Sequence, residues 1–264
     1  MATHFLEPNM RRLTSILLEV YIVVSIYVLL RALVGLSFLI LPAILLSLLG
    51  FSFALLHAST RQGWQNAFIF LGLTVVISLL FESVGVATGW LYGGYHYTEE
   101  FGPRIFGLVP YLIPVNWFMM LYPSYVMAER IFPGERNRWK QWIAIAAVGG
   151  VIMTAWDLVM DPLMVVRGHW VWENEGAFFG IPLQNFFGWW LTSFTILAIY
   201  HWGSHRWGRR IPLHDLLFDH QAITFYAVTG FGSVIGALLA GLNGPALVGF
   251  FAMLPWVLVS RKEQ

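Results

Sequence analysis

Eight runs of apolar residues, each about as long as a lipid bilayer is thick, dominate this sequence. A helix that crosses a membrane needs roughly 20 mostly apolar residues. The runs are bounded by charged residues or by Gly and Pro, and they cover residues 13–30, 33–56, 67–88, 109–131, 141–160, 186–202, 222–242 and 245–259. The sequence therefore predicts an all-α, polytopic integral membrane protein of about eight transmembrane helices, folded as a single transmembrane helical domain over residues 1–264.

Composition agrees with lipid as the main solvent of this chain. Hydrophobic residues make up 58% of the sequence and charged residues only 11%, far from the balance of a soluble domain. The net charge of +1 and the lack of a long basic run argue against a nucleic-acid partner, which needs clustered Lys and Arg. Because the chain has no Cys, it can form neither disulfides nor thiolate metal sites.

The positive charges predict the orientation of the chain. Only Arg31, Arg104 and Arg167 fall on one side of the eight predicted spans, and the other twelve of the 15 Lys and Arg residues fall on the opposite side. Because cytoplasmic loops carry an excess of Lys and Arg, we expect both termini to be cytoplasmic. A seven-helix count stays open, although it would weaken this charge bias.

Two connections on the predicted outer side are unusually rich in aromatic residues and Gly. They cover residues 89–108 and 161–185. One interpretation is an interfacial belt, in which Trp and Tyr rings lie at the level of the lipid headgroups. The other is a lid over a pocket, because the second loop is too apolar for a simple solvated connection. The sequence leaves both open.

Several polar side chains should share one depth in the membrane. Glu82 lies late in the third span and Asp157 late in the fifth, and both spans run towards the outer side. Asp161 lies one helical turn beyond Asp157. Three further polar or aromatic side chains begin the fourth and sixth spans at the same side, namely Asn116, Trp117 and Asn185. Ionisable residues within spans are costly and mark functional sites unless they serve packing alone.

The glycines near Glu82 allow two interpretations. Ser78, Glu82, Gly85 and Gly89 recur on one helical stripe, which would leave space for a ligand beside the carboxyl group. Small residues equally permit close packing between helices. Glu19 and His57 lie towards the opposite side of the membrane, where we interpret them as structural.

A layer of carboxyl groups in an apolar pocket suits acid catalysis. Burial favours the protonated form of a carboxyl group, and two neighbouring carboxyls tend to share one proton. A second, ionised carboxylate can stabilise a carbocation or deprotonate an attacking water. Aromatic faces shelter positive charge, and the candidates are Trp90, Tyr95, Trp117, Trp156 and Trp170. Protonation of an alkene in a long lipid would fit this set.

Two stretches resemble the membrane-bound carotenoid biosynthesis family that includes CruF-type carotenoid 1,2-hydratases and bisanhydrobacterioruberin hydratases. The stretches are residues 81–125 and 155–189, and they contain the motifs WDLVMDP and FFGIPLQNF. The resemblance implies cofactor-independent addition of water across the terminal C1=C2 bond of an acyclic carotenoid end group. It implies carotenoids of the lycopene, γ-carotene or bisanhydrobacterioruberin type as substrates, together with water, in a lipid bilayer.

The motifs and the depth argument together give a set of expected site residues. Asp157 is favoured as the acid, Asp161 would orient water and Glu82 would complete the proton relay, although these roles can be permuted. Neither a metal nor a cofactor is expected. Substrate contacts are expected from Trp90, Tyr95, Tyr97, Asn116, Trp117, Trp156, Trp170 and Asn185.

Other membrane functions are weighed against this one. A carotenoid- or lipid-binding protein or a transporter would also use a polar layer. A prenyl-lipid enzyme would need its two Asp pairs, Asp157/Asp161 and Asp215/Asp219, on one face to hold a metal, and the predicted topology places them on opposite faces. A rhodopsin is excluded because both lysines lie outside the spans.

Overall fold

Eight α-helices form the body of the protein, in a computed structural model that describes residues 3–36, 39–133, 138–206 and 215–262. Six of these helices are long and apolar enough to cross a membrane, and α4 and α6 are not among the six. The helices are α1 Thr3–Leu33, α2 Ile40–Gln62, α3 Trp64–Thr88, α4 Leu112–Ile131, α5 Arg138–Val166, α6 Leu183–Arg206, α7 Leu216–Leu239 and α8 Asn243–Ser260. The all-α, polytopic prediction is confirmed, and each of the eight predicted helices is present.

Glycines with positive φ set helix ends that apolar runs alone did not locate. Gly35 (φ 73°) closes α1 with two backbone bonds, from its own N–H to Ala32 and from Leu36 N–H to Arg31, which is a Schellman motif. The second helix therefore begins at residue 40, whereas the sequence predicted 33. Helix α5 runs through Pro162 to Val166 instead of ending at residue 160, because its terminating glycine is Gly168 (φ 74°).

Ion pairs and backbone contacts show which helix ends lie together. Arg11 at the start of α1 pairs with Asp215 at the start of α7. Arg130 near the end of α4 donates to the carbonyl oxygens of Ser260 and Lys262 at the end of α8. Helix α1 therefore begins, and helix α8 ends, at the same end of the bundle, which we call the terminal end. The opposite end, called the loop end, carries the two aromatic connections.

Helix α4 forms the centre of the bundle. It packs against α2, α3, α5, α7 and α8, and most of its side chains are buried. Rings from three helices interlock beside it, because Phe70 lies 5.5 Å from Tyr125 and 4.9 Å from Tyr200 between ring centroids. Such aromatic pairs stabilise a core beyond the area that they bury. The central helix thus fixes the position of Trp117, which lies in its second turn, towards the loop end.

The aromatic connections at the loop end are ordered and paired with each other. Strand β1 (Tyr95–Tyr97) runs antiparallel to β4 (Trp170–Trp172), and β2 (Arg104–Ile105) pairs with β3 (Val109–Pro110). The period of two along β1 turns Tyr95 and Tyr97 inward and His96 outward. We call the β1–β4 pair the ribbon. It lies over the helix ends as a cover, while exposed aromatics such as Trp90 and Phe106 suit an interfacial belt.

Four charged side chains form an ion cluster at the terminal end, comprising Arg61, Glu129, Arg130 and Asp219. Arg61 donates from Nη1 to Glu129 Oε2 and from Nε to Asp219 Oδ1, each over 2.6 Å. All four side chains are buried. Asp215 and Asp219 therefore lie at the opposite end from Asp157 and Asp161, as the predicted topology required.

Candidate active site

Glu82, late in α3, accepts hydrogen bonds from three aromatic side chains. Tyr95 and Tyr97 in the ribbon donate from their hydroxyl groups to Oε2, the latter over 3.0 Å, and Trp117 Nε1 donates to Oε1 over 2.9 Å. The carboxyl group is 4% exposed. Burial favours its neutral form, whereas three donors favour its charged form. The site therefore keeps a buried acid whose conjugate base already has its hydrogen-bond partners in place.

Asp157 and Asp161 form a second carboxyl pair in α5. Asn185, in the first turn of α6, donates from Nδ2 to Oδ2 of both, over 2.9 and 2.8 Å. Asp161 Oδ1 also accepts from Trp170 Nε1 over 2.7 Å and from Trp172 Nε1 over 3.3 Å. Asp157 Oδ1 is buried and has no hydrogen-bond partner. Because adjacent buried carboxylates repel, we expect this pair to share a proton.

A cavity of about 470 Å³ lies beside Glu82, and we call it the apolar cavity. This volume is in the usual range for a small-molecule site. Glu100, Arg167 and His169 lie at its loop end, while Ser47 and Ser233 lie deeper in the bundle. Most of its remaining lining is aliphatic or aromatic: Ala43, Ile44, Leu46, Phe101, Tyr111, Leu112, Ile113, Trp117, Met119, Trp156, Met160, Met164, Trp170 and Trp189. Such walls suit a long apolar ligand.

Among the polar groups in this cavity, Asn116 has a buried side-chain oxygen without a hydrogen-bond partner. Trp156 also lines the cavity and donates to Ser233 over 3.2 Å. Trp117 stacks on Trp189 with ring centroids 4.4 Å apart. The wall beside Glu82 is thus a stack of indole faces, which attract positive charge.

A second, much smaller cavity of about 20 Å³ lies under the ribbon, and we call it the polar chamber. It adjoins the apolar cavity and shares three lining residues with it, Glu82, Trp170 and Trp189. The rest of its wall is made by Tyr92, Tyr95, Tyr97, Asp161, Trp172 and Asn185. Glu82 therefore reaches both spaces, whereas Asp161 reaches the chamber and Asp157 lines neither.

The expected site residues are brought together with one exception. The polar layer contains the three carboxyl groups with Tyr95, Tyr97, Trp117, Trp170 and Asn185 in direct hydrogen bonds. Asn116 and Trp156 line the apolar cavity. Trp90 is 68% exposed and lines neither space.

Tyr92 is a site residue that sequence reasoning missed. Its ring lies between α3 and α6, where a Cβ added to Gly85 or to Gly188 would come within 2.5 Å of it. Its hydroxyl group bonds to Thr192 Oγ1 over 2.7 Å. The space at Gly85 is thus used for close packing, as in the second of the two interpretations, but by a loop residue instead of a facing helix. The glycine stripe was the available signal.

Burial changes the titration of loop residues around the site. It raises the pKa of the Tyr95 and Tyr97 hydroxyl groups well above the usual value, and the charge of nearby Glu82 raises each pKa further. Burial also lowers the pKa of His169, and neighbouring Arg167 lowers it further. The tyrosines therefore remain neutral donors at physiological pH.

Within the described parts of the chain, no three His, Cys, Asp or Glu side chains are grouped as they would be around a metal ion.

Comparison with known proteins places this geometry in a family context. A family model described as "Carotenoid biosynthesis protein" matches residues 35–255, a range that includes every site residue above. The bisanhydrobacterioruberin hydratase of Haloarcula japonica is 33% identical over 151 residues, which cover 56% of this chain and 50% of that protein. The chain thus spans about half the length of this curated relative. No solved structure matches the chain.

Proposed function

This chain belongs to the carotenoid biosynthesis protein family, and from this premise we propose that it hydrates the terminal C1=C2 double bond of an acyclic carotenoid end group. One observation carries the proposal: Glu82 is a buried carboxyl group that lines both the apolar cavity and the polar chamber. An apolar end group in the first space would contact the acid directly. Contact with the reacting atom is the first requirement for a general acid.

The proposed first step is a proton transfer from Glu82 to C2. The O–H bond breaks, a C–H bond forms and a tertiary cation results at C1. Hydrogen bonds from Tyr95, Tyr97 and Trp117 stabilise the carboxylate that develops, as preorganised donors do elsewhere. The stacked faces of Trp117 and Trp189 stabilise the cation.

The second step is addition of water to C1. The water oxygen forms a bond to the cation and releases one proton to a carboxylate, which gives a tertiary alcohol and no net consumption of acid. The Asp157/Asp161 pair, bridged by Asn185, stores that proton and returns it to Glu82. This assignment departs from the expectation that Asp157 is the acid, because Asp157 lines neither space.

The proposed substrate is a carotenoid of the lycopene, γ-carotene or bisanhydrobacterioruberin type. The apolar cavity, about 470 Å³, holds one end group and part of the polyene, while the remaining polyene extends into lipid. A polyene about as long as the hydrocarbon core, roughly 30 Å, suits this arrangement. We place the protein in the plasma membrane of a prokaryote, acting without a cofactor.

Transport is a weaker alternative, because it needs a polar path that continues to the other face. His57, the nearest candidate for such a path, is hydrogen bonded through Nδ1 to the Tyr122 hydroxyl group and through Nε2 to the Phe218 carbonyl. Glu19 is exposed on the outer surface of α1. The two hydrogen bonds of His57 support its structural interpretation, and Glu19 does not extend a buried polar path.

The test is expression in a bacterium that makes lycopene or γ-carotene, followed by mass spectrometry of the extracted pigments. Wild type should yield a product heavier by one water. Glu82→Gln should lower the yield about 10²- to 10⁴-fold, the contribution of a general acid. Glu99→Gln, an exposed position in the connection that follows α3, is the control and should match wild type.

Two outcomes would contradict the proposal in different ways. Unchanged pigment across several acyclic carotenoids, with wild-type protein present in the membrane, would refute hydration. An active Glu82→Gln variant beside an inactive Asp157→Asn variant would return the role of acid to Asp157.

A further inference from the structure

We infer that the polar chamber is the binding site of the water molecule that attacks the substrate, so that water and carotenoid bind in adjacent spaces that meet at Glu82. The inference rests on the proposed hydratase function and adds a second ligand site to it. Tyr92 and Trp172 become parts of this site, in addition to the residues that the sequence indicated.

The size of the chamber suits one water molecule. Its volume is about 20 Å³, and a cavity needs about 10–15 Å³ to hold a water, together with two to four polar partners. The carboxyl groups of Glu82 and Asp161 and the amide group of Asn185 all belong to its wall. A space of this size with such a lining is unsuited to any part of a polyene.

Asp161 has hydrogen-bonding capacity left for that water. A carboxylate offers about four lone-pair sites. Trp170 and Trp172 occupy Oδ1, and Asn185 occupies one site on Oδ2. One site on Oδ2 remains, on the oxygen that shares its donor with Asp157. A water bound there has a base within reach when it adds to the cation.

The ribbon forms much of the wall of this chamber. Its residues Tyr95, Tyr97 and Trp170 are buried, and their rings pack edge to face. Exclusion of other water protects a reactive intermediate from side reactions. Trp172 acts as a positioning residue, because its N–H holds Asp161 Oδ1 over 3.3 Å and leaves Oδ2 directed to the chamber.

A division of labour between Glu82 as the acid and the chamber as the water site has a chemical consequence. If the chamber holds no water while Glu82 is kept, the cation still forms. It can then only lose a proton from C2 or from a terminal methyl group to the Glu82 carboxylate, which restores an alkene. In D₂O this cycle places deuterium in recovered, unhydrated carotenoid. The ratio of exchanged to hydrated carotenoid therefore reports on the chamber independently of how much protein folds.

The variants Asp161→Leu and Trp172→Phe perturb the chamber. Asp161→Leu should lower hydration about 10²-fold, the low end for a general base, while exchange persists, so the ratio rises about 10²-fold. Trp172→Phe keeps an aromatic ring but removes the N–H donor to Asp161. We therefore expect a smaller rise in the ratio of exchanged to hydrated carotenoid. Met164→Trp, which narrows only the apolar cavity, should lower hydration and exchange together. A ratio unchanged in both chamber variants would overturn the inference.

Radiolytic footprinting of the wild-type protein in micelles tests the bound water without any turnover. Buried tyrosines beside an ordered water should be oxidised, so Tyr95 and Tyr97 should be labelled well above Tyr226, whose hydroxyl group donates to the Ile152 carbonyl. Equal labelling of all three would mean a dry chamber and would overturn the inference. Labelled Tyr95 and Tyr97 in a protein that neither hydrates nor exchanges any carotenoid would refute the proposed function and, with it, the reacting role of this water.

Discussion

Removal of Arg61 from the ion cluster should destabilise the protein strongly without touching the proposed active site. In Arg61→Gln, the carboxylates of Glu129 and Asp219 lose the guanidinium that lies 2.6 Å from each. All of these side chains are at most 6% exposed. Breaking a buried ion pair by removing one partner costs about 3–5 kcal/mol, because a buried charge is left uncompensated.

The structure sets the expected value at the lower end of that range. Arg130 Nη1 lies 3.9 Å from Asp219 Oδ2 and partly compensates that carboxylate. We therefore expect a loss of about 3 kcal/mol, which lowers the folding equilibrium constant by about 10²-fold. The matched control is Arg11→Gln, whose ion pair with Asp215 is 40% and 38% exposed. An exposed pair should contribute about 0–1 kcal/mol.

The assay is unfolding of purified protein in mixed micelles with increasing SDS, followed by circular dichroism. Hydration per folded molecule should stay near wild type in both variants, since the ion cluster lies at the terminal end. Equal losses of stability in Arg61→Gln and Arg11→Gln would refute the argument from burial. A loss below about 1 kcal/mol for Arg61→Gln would mean that the unfolded state in the micelle satisfies these charges as well as the folded state does.

Three further substitutions, one of them with a matched control, test the site. Trp117→Phe removes one of three donors to the buried acid and should lower hydration per folded molecule by 10- to 100-fold, about what one charge-assisted hydrogen bond contributes. Gly188→Ala places a Cβ 2.5 Å from the Tyr92 ring and should cost about 1–3 kcal/mol by overpacking, whereas Gly72→Ala, with open space around its Cβ, should not. Trp90→Ala should leave hydration unchanged in the pigment assay, because this side chain is 68% exposed and lies outside both spaces.

Hydropathy predicted the helices well because every span must satisfy its backbone within lipid. It located their ends less well, because ends depend on local backbone geometry. The turn at Gly35 shifted the start of α2 by seven residues, and the fifth predicted run ended at residue 160 although α5 continues through Pro162 to Val166. A proline near a helix end removes one backbone bond, and neighbouring groups in a bundle tolerate that loss.

Depth in the membrane predicted much of the candidate site. Glu82, Asp157 and Asp161 could be assigned to one layer because spans alternate in direction, and Asn185 followed from the start of the sixth span. The pairing of β1 with β4 joins loops that are far apart in sequence, so no local pattern could place Trp172 against Asp161. The position of Tyr92 between two glycines likewise depends on how α3 and α6 approach each other.

The ribbon also bears on the order in which this protein becomes competent during synthesis. The first half of the chain supplies Glu82 with its tyrosine and Trp117 donors, and the second half supplies the aspartates and strand β4. A chain halted before β4 would carry the acid with a cover that has no partner strand. The polar chamber is thus completed only late in synthesis, when β4 has been made and pairs with β1. Under the proposed function, we expect a copy that ends before β4 to hydrate no carotenoid.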